Sequence, residues 1–118
     1  MRPSMIIVAL VFIALAGAAA RAHAFLDHAS PLVGSTVAVA PREVALTFTQ
    51  NFEPAFSSVQ VTDAHGARVD QGKPQISGNT MRVGLKPLAA GSYKVHWHVL
   101  SADTHRTEGS FSFHVGSH

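Results

Sequence analysis

Apolar residues recur at every second position in several short segments of the chain, and this period is typical of β-strands that bury one face. Turn-forming residues separate the segments, as in antiparallel sandwiches and small barrels, and no segment has helical periodicity. Residues 71–79 are predicted to form a loop because they are rich in glycine and proline. The pattern predicts an all-β, antiparallel, seven-stranded domain with strands at residues 23–28, 43–49, 58–62, 67–69, 80–85, 93–99 and 109–115.

The residues in phase with these alternations form the predicted core. Fully burying a large apolar side chain stabilises a fold by about 1.5–3 kcal/mol. The set is therefore large enough to hold one domain together, although the chain has no cysteine and hence no disulfide. The predicted core consists of Val44, Leu46, Phe48, Val59, Val61, Met81, Val83, Leu85, Tyr93, Val95, Trp97, Val99, Phe111, Phe113 and Val115.

Residues 1–22 are predicted to be a cleavable secretory signal peptide in front of a domain at residues 23–118. Arg2 provides the positive start of the signal, and an apolar or small-residue run extends from Met5 to Ala20. This run is shorter than the roughly 18–20 residues that span a bilayer. The alternative interpretation is an uncleaved membrane anchor.

Two cleavage positions fit the rule that small residues flank the cut. Cleavage after Ala22 makes His23 the first residue of the mature protein, whereas cleavage after Ala24 makes it Phe25. Spacing alone does not choose between them, and the choice decides whether a histidine carries the free amine.

The charge of the predicted mature chain argues against nucleic acid as a partner. The full chain has nine Lys and Arg and seven Asp and Glu residues. Removing Arg2 and Arg21 with the signal leaves seven basic and seven acidic residues, a formally neutral protein. No basic stripe remains that could follow a phosphate backbone.

The segment Ser101–His105 lies between two of the most regular predicted strands. In an extended segment, residues i and i+2 point to the same side. We therefore expect the carboxylate of Asp103 and the imidazole of His105 to reach one metal ion. The alternative is a solvated polar loop at the tip of a hairpin.

Histidine is abundant, with eight residues in the chain, whereas the sequence lacks enzymatic nucleophile motifs and glycine-rich phosphate loops. The strand histidines alternate with core residues and are expected to face outward. The sequence leaves open whether a second, weaker metal site forms among His28, His65, His96, His98, His114 and His118.

His23 becomes a stronger candidate if cleavage follows Ala22, because it then offers both its α-amine and its imidazole. The amine has an ordinary pKa of about 7.7–8, so a metal can displace its proton near neutral pH. With Asp103 and His105, the donors become three nitrogens and one oxygen, a set that suits tetragonal Cu(II), one ion per chain. Zn(II) could use the same donors but is expected to lose to copper on affinity.

Five segments of the chain resemble the CopC family, which are periplasmic copper-binding proteins of bacterial copper resistance and homeostasis. The resemblance covers essentially all of the predicted mature chain, and its W-x-V-x-S-x-D-x-H-x-x-x-G pattern is more specific than D-x-H alone. The segments are His23–Leu26, Ser30-Pro31, Gly91–Trp97, Ser101–His105 and Gly109–Phe113.

The resemblance implies a cupredoxin-like Greek-key fold close to an immunoglobulin sandwich. It also implies that Cu(II) binds to His23, through both amine and imidazole, and to Asp103 and His105, which favours cleavage after Ala22. A CopD-type copper transport protein of the inner membrane is the implied partner. The chain departs from some relatives because Met81 is the only methionine after the signal and because Gln50 stands where they have Glu.

Three functions follow from these observations. The first is a periplasmic carrier or buffer of Cu(II), which is not an enzyme and is no longer membrane-embedded after signal cleavage. The second is a copper-dependent oxidative enzyme that uses the same histidine brace, although an anionic Asp103 favours oxidised copper and occupies a position that oxygen would need. The third is a metal-free interaction module, which is favoured only if the mature chain does not begin at His23.

Overall fold

The computed structural model describes residues 24–116, so the predicted signal peptide, His23 and His118 lie outside the described residues. Within this range, eight strands form two four-stranded sheets, ordered β1-β3-β6-β5 and β2-β8-β7-β4. The described helical structure is one 3-10 turn at Pro54–Phe56, and no helix in residues 24–116 is long and apolar enough to cross a membrane. The strands are β1 Leu26–Ser30, β2 Thr36–Val37, β3 Glu43–Phe48, β4 Ser58–Asp63, β5 Asp70–Ser77, β6 Thr80–Leu85, β7 Gly91–Leu100 and β8 Arg106–Val115.

The core lies between the two sheets and confirms the predicted all-β sandwich. All fifteen residues predicted to face inward are buried. Three further apolar residues join them, namely Ala24, Ala29 and Phe52. Ala24 and Phe52 lie outside the regular strands, which is why the alternation did not identify them.

Two predictions are wrong, namely the strand at residues 67–69 and the loop at residues 71–79. Residues 67–69 form no strand, and Arg68 makes only an isolated bridge to Thr62. The strand comes later, as β5 at Asp70–Ser77, in the segment predicted to be a loop. β5 tolerates Gly72 and Pro74 because it is an edge strand whose pairing with β6 shifts register between residues 71 and 75.

The short strand β2 was also absent from the prediction. Its two residues, Thr36 and Val37, pair in parallel with His114 and Val115 of β8, whereas the other strand pairs are antiparallel. Two residues are too few to show an alternating pattern. The addition brings the described strand count to eight without changing the fold class.

The β7–β8 hairpin positions the predicted metal loop. Its pairing is unbroken from Gly91 opposite Val115 to Leu100 opposite Arg106, so the connecting loop sits at the tip of a long, regular ladder. Inside this ladder, Trp97 pairs with Gly109, and a Cβ on Gly109 would lie 2.7 Å from Cζ2 of the indole. Glycine is therefore required at this position for Trp97 to lie flat against the neighbouring strand.

Candidate metal centre

The loop between β7 and β8 is a tight turn rather than an extended segment. The amide of Thr104 donates to the carbonyl of Ser101 at 2.9 Å, and the amide of Ser101 donates to the carbonyl of His105 at 3.0 Å. Thr104 has a φ of 67°, in the left-handed region. The sequence predicted that an extended backbone places Asp103 and His105 side by side. The two side chains do lie together, but a tight turn brings them there, so the predicted extended backbone is wrong.

The two predicted donors at the tip of this loop lie next to each other. Nδ1 of His105 is 3.2 Å from Oδ2 of Asp103. Their side chains are 61% and 38% exposed, respectively, so both can be reached from solvent. A carboxylate oxygen and an imidazole nitrogen at this separation can turn toward one cation without a backbone movement.

The buried side chain of Ser101 contacts both Asp103 and His105 of the loop. It is 1% exposed, and its hydroxyl donates to Oδ1 of Asp103 while also lying 3.0 Å from the carbonyl oxygen of His105. The Ser101 hydrogen bond lowers the pKa of Asp103, and hydrogen bonds and charge interaction with His105 lower it further, against a smaller opposing effect of burial. Asp103 is therefore an anion at neutral pH before any metal binds.

The start of the described chain is fixed beside the strand that leaves this loop. Ala24 is fully buried, and its carbonyl accepts a hydrogen bond of 2.6 Å from Oγ1 of Thr107, two residues after His105. The next residue, Phe25, exchanges two hydrogen bonds with Thr49, at 3.0 and 2.8 Å. His23 itself is outside the described residues, but it is joined to Ala24 by one peptide bond.

Three aromatic side chains pack against each other near the base of the loop. Phe48 makes edge-to-face contacts with Phe52 and Trp97, at centroid distances of 5.2 and 5.0 Å. Phe52 also forms an isolated bridge with Ser101 at the base of the loop. Trp97 is 6% exposed and belongs to the core, as its alternation predicted.

Two strand histidines, His96 and His114, each contact a serine of the neighbouring strand. Nδ1 of His96 is 2.9 Å from Oγ of Ser110, and Nδ1 of His114 is 2.8 Å from Oγ of Ser92. Across residues 24–116, no group of three or more His, Asp or Glu side chains is arranged to hold a metal ion. Within the described residues, Asp103 and His105 thus form a pair that no third His, Asp or Glu side chain completes.

Sequence reasoning assigned no separate role to Ser101 or Thr107, although the pattern contained a signal for both. Ser101 continues the alternation of Trp97 and Val99, and Thr107 precedes Gly109 and Phe111 in the same phase. Polar residues in an inward phase usually have a specific hydrogen-bond partner. The partner of Thr107 could not be predicted because it lies 83 positions away in the sequence.

Comparison with known proteins gives one family. A family model described as the CopC domain matches residues 26–116. The chain is 35% identical over 117 residues to copper resistance protein C of Xanthomonas campestris pv. juglandis, covering 92% of this chain and 91% of that protein. It is also 32% identical over 114 residues to the copper transport protein CutJ of Bacillus subtilis, covering 93% of this chain but 21% of that protein.

Two solved structures share both sequence and fold with the chain. CopC from Methylosinus trichosporium OB3b is 36% identical with a TM-score of 0.76, covering 81% of this chain and 96% of that one. PcoC from Escherichia coli, described as a methionine-rich copper resistance protein, is 31% identical with a TM-score of 0.72. That match covers 80% of this chain and 100% of PcoC.

Proposed function

The chain belongs to the CopC family, and from this premise we propose that it is an exported carrier or buffer of Cu(II) in copper homeostasis or resistance. One ion binds per chain, held by the amine and imidazole of His23, the carboxylate of Asp103 and the imidazole of His105. The relatives are named for copper resistance and copper transport, not for a catalysed reaction. The protein accordingly acts by binding and release rather than as an enzyme.

The chemistry of the described donors fits Cu(II) better than Cu(I). Asp103 is an anionic oxygen donor and His105 a nitrogen donor, and tetragonal Cu(II) favours such ligands, whereas Cu(I) favours thiolates and thioethers. The chain has no cysteine, and Met81 is fully buried in the core between the sheets. Within residues 24–116 Met81 is the one methionine, whereas PcoC is described as methionine-rich.

The observation that carries the proposal is the position of Ala24. Its carbonyl is bound to Thr107 on β8, and Thr107 is two residues after His105 in the chain. Adding one residue before Ala24 adds the amine and imidazole of His23. This supports a site that joins the first residue of the mature chain to the β7–β8 loop, and it requires signal cleavage after Ala22.

Export and transfer complete the proposed role. The apolar run before His23 fits a secretory signal, and the site of action is then the periplasm. In CutJ, the region similar to this chain is about a fifth of a longer copper transport protein. This supports a copper transport protein as the recipient or source of the copper, and the family resemblance implies an inner-membrane protein of the CopD type in that role.

Isothermal titration calorimetry on two chains tests the proposal. A protein that begins at His23 should bind one equivalent of Cu(II) tightly. The same protein with one extra residue before His23 should bind much more weakly. Its free amine then belongs to the extra residue and can no longer ligate the ion together with the imidazole of His23. Mass measurement of the exported protein reads the first residue directly. Equal affinity of the two chains, or an exported form that begins at Phe25, contradicts the proposal.

A further inference from the structure

Thr107 forms a hydrogen bond to the amino-terminal end of the described chain. Its Oγ1 donates the 2.6 Å hydrogen bond to the carbonyl of Ala24, and this contact joins the first described residue to β8. The side chain is half-buried, in the inward phase of Gly109 and Phe111. Thr107 is the second residue of β8, so the contact lies next to the end of the loop Ser101–His105.

The rest of the segment is held on the opposite sheet. Phe25 is hydrogen-bonded to Thr49, the residue after β3, whereas Thr107 belongs to β8 in the other sheet. Ala24 is fully buried between these two attachments. Without the Thr107 hydroxyl, Phe25 would still be hydrogen-bonded to Thr49. The carbonyl of Ala24, the residue after His23, would be released.

We infer that Thr107 is a positioning residue for copper, which holds the Ala24 carbonyl so that the amine and imidazole of His23 are presented to the loop of Asp103 and His105. This inference rests on the proposed function. A terminal residue that is already oriented loses less conformational entropy when it becomes a ligand, so the anchored chain binds copper more tightly. Thr107 does not touch the ion in this account.

The test compares Thr107→Val, which keeps the shape and removes the hydroxyl, with Thr107→Ser, which keeps the hydroxyl. In the chain that begins at His23, Thr107→Val is expected to weaken Cu(II) binding about three- to tenfold, the range for one lost hydrogen bond. Thr107→Ser should restore affinity to within about twofold on the same scale. Thr62→Val serves as a matched control, since Thr62 is also a half-buried strand threonine, on β4, and pairs with Lys94.

Two further readouts separate positioning from a general structural role. In the chain with an extra residue before His23, Thr107→Val should weaken copper binding less than in the chain that begins at His23, because the amine that Thr107 positions no longer ligates. In the metal-free protein, NMR relaxation of the Ala24 methyl group should show greater mobility in Thr107→Val than in the unchanged chain, because Thr107 holds the carbonyl of Ala24. An equal loss of affinity in both chains, or unchanged mobility of Ala24, overturns the inference.

A fourth variant distinguishes this inference from the proposed function. If His23→Ala loses tight copper binding while Thr107→Val binds as tightly as the unchanged chain, the inference is wrong and the proposed function stands. If His23→Ala binds Cu(II) as tightly as the unchanged chain, the proposed function is wrong, and the inference about Thr107 is wrong with it.

Discussion

Asp70 and Asp103 both have a pKa below the ordinary value for aspartate, but different surroundings hold them. Asp70 is 9% exposed, and its oxygens accept hydrogen bonds from Arg68 at 3.1 and 2.7 Å and from the amide of Val61 at 2.8 Å. Burial raises the pKa of Asp70, and these hydrogen bonds outweigh it. Asp103 is at the surface, with the Ser101 hydroxyl below it and His105 beside it.

The difference shows that a lowered pKa alone does not identify a metal site. The partner of Asp70 is an arginine, which is permanently charged and cannot ligate a cation. Its carboxylate is saturated with donors and connects β5 to β4, so its role is structural. The neighbour of Asp103 is a histidine, which is itself a metal ligand when neutral. An arriving cation can therefore use both side chains of the exposed pair.

The largest expected effect comes from the exposed pair. His105→Ala and Asp103→Ala should each weaken Cu(II) binding by more than about a hundredfold, the upper limit for losing an outer-shell partner of a metal. Both side chains lie outside the core, so the midpoint of thermal unfolding should stay where it is. Calorimetric titration and a thermal melt of the same samples check the two halves of this prediction. A melt that drops together with the affinity would make the pair structural, like Asp70.

The reverse result is expected for the buried aspartate. Asp70→Ala leaves the buried amide of Val61 without its acceptor and should lower the free energy of unfolding by about 2 kcal/mol. Copper affinity should not change at temperatures where the variant is folded. Chemical denaturation gives the first quantity and titration the second. Weaker copper binding in folded Asp70→Ala would remove the distinction between the two carboxylates.

The pH dependence of this stability difference has a definite sign. The folded-state pKa of Asp70 lies below its ordinary value of 3.8, so the carboxylate stabilises the fold at pH values above that number. The contribution is lost as the pH falls through the lower, folded-state pKa. Denaturation curves of the unchanged chain and of Asp70→Ala should therefore converge in acid. Curves that separate further at low pH would show that the pKa is raised.

A smaller effect is expected from replacing Ser101. Its hydroxyl distinguishes the surroundings of Asp103 from those of Asp70. Ser101→Ala should raise the pKa of Asp103 toward its ordinary value and weaken Cu(II) binding by about tenfold, as for other outer-shell losses. NMR titration of the Asp103 carboxyl carbon follows the pKa. Ser110→Ala is a control for removing an exposed serine hydroxyl of the same hairpin, since Ser110 contacts His96 instead. Equal effects of the two serine variants would show that Ser101 has no specific role.

The alternation of apolar residues predicted most of the fold because burial of one strand face leaves a regular trace. It located the two long strands of the hairpin and hence the loop that contains Asp103 and His105. It failed at β5, where an edge strand accommodates Gly72 and Pro74 with a shift in register. Local composition indicated a loop there, and only pairing with β6 makes it a strand.

The candidate site was less accessible to sequence reasoning than the fold. D-x-H spacing and the family resemblance gave Asp103 and His105, but the left-handed turn at Thr104 was not foreseen. The anchoring of Ala24 by Thr107 depends on tertiary structure that joins the two ends of the domain. The part of His23 stays a prediction, since this residue lies outside the described range.

Electron paramagnetic resonance of the protein loaded with one equivalent of Cu(II) tests the central claim most directly. For a chain that begins at His23, the account predicts a single tetragonal signal with coupling to three nitrogens, and histidine labelled with ¹⁵N in its imidazole ring alone should alter two of them. One extra residue before His23 should change the spectrum. Coupling to fewer than three nitrogens, or an identical spectrum from the extended chain, would contradict a site that uses the first amine of the mature protein.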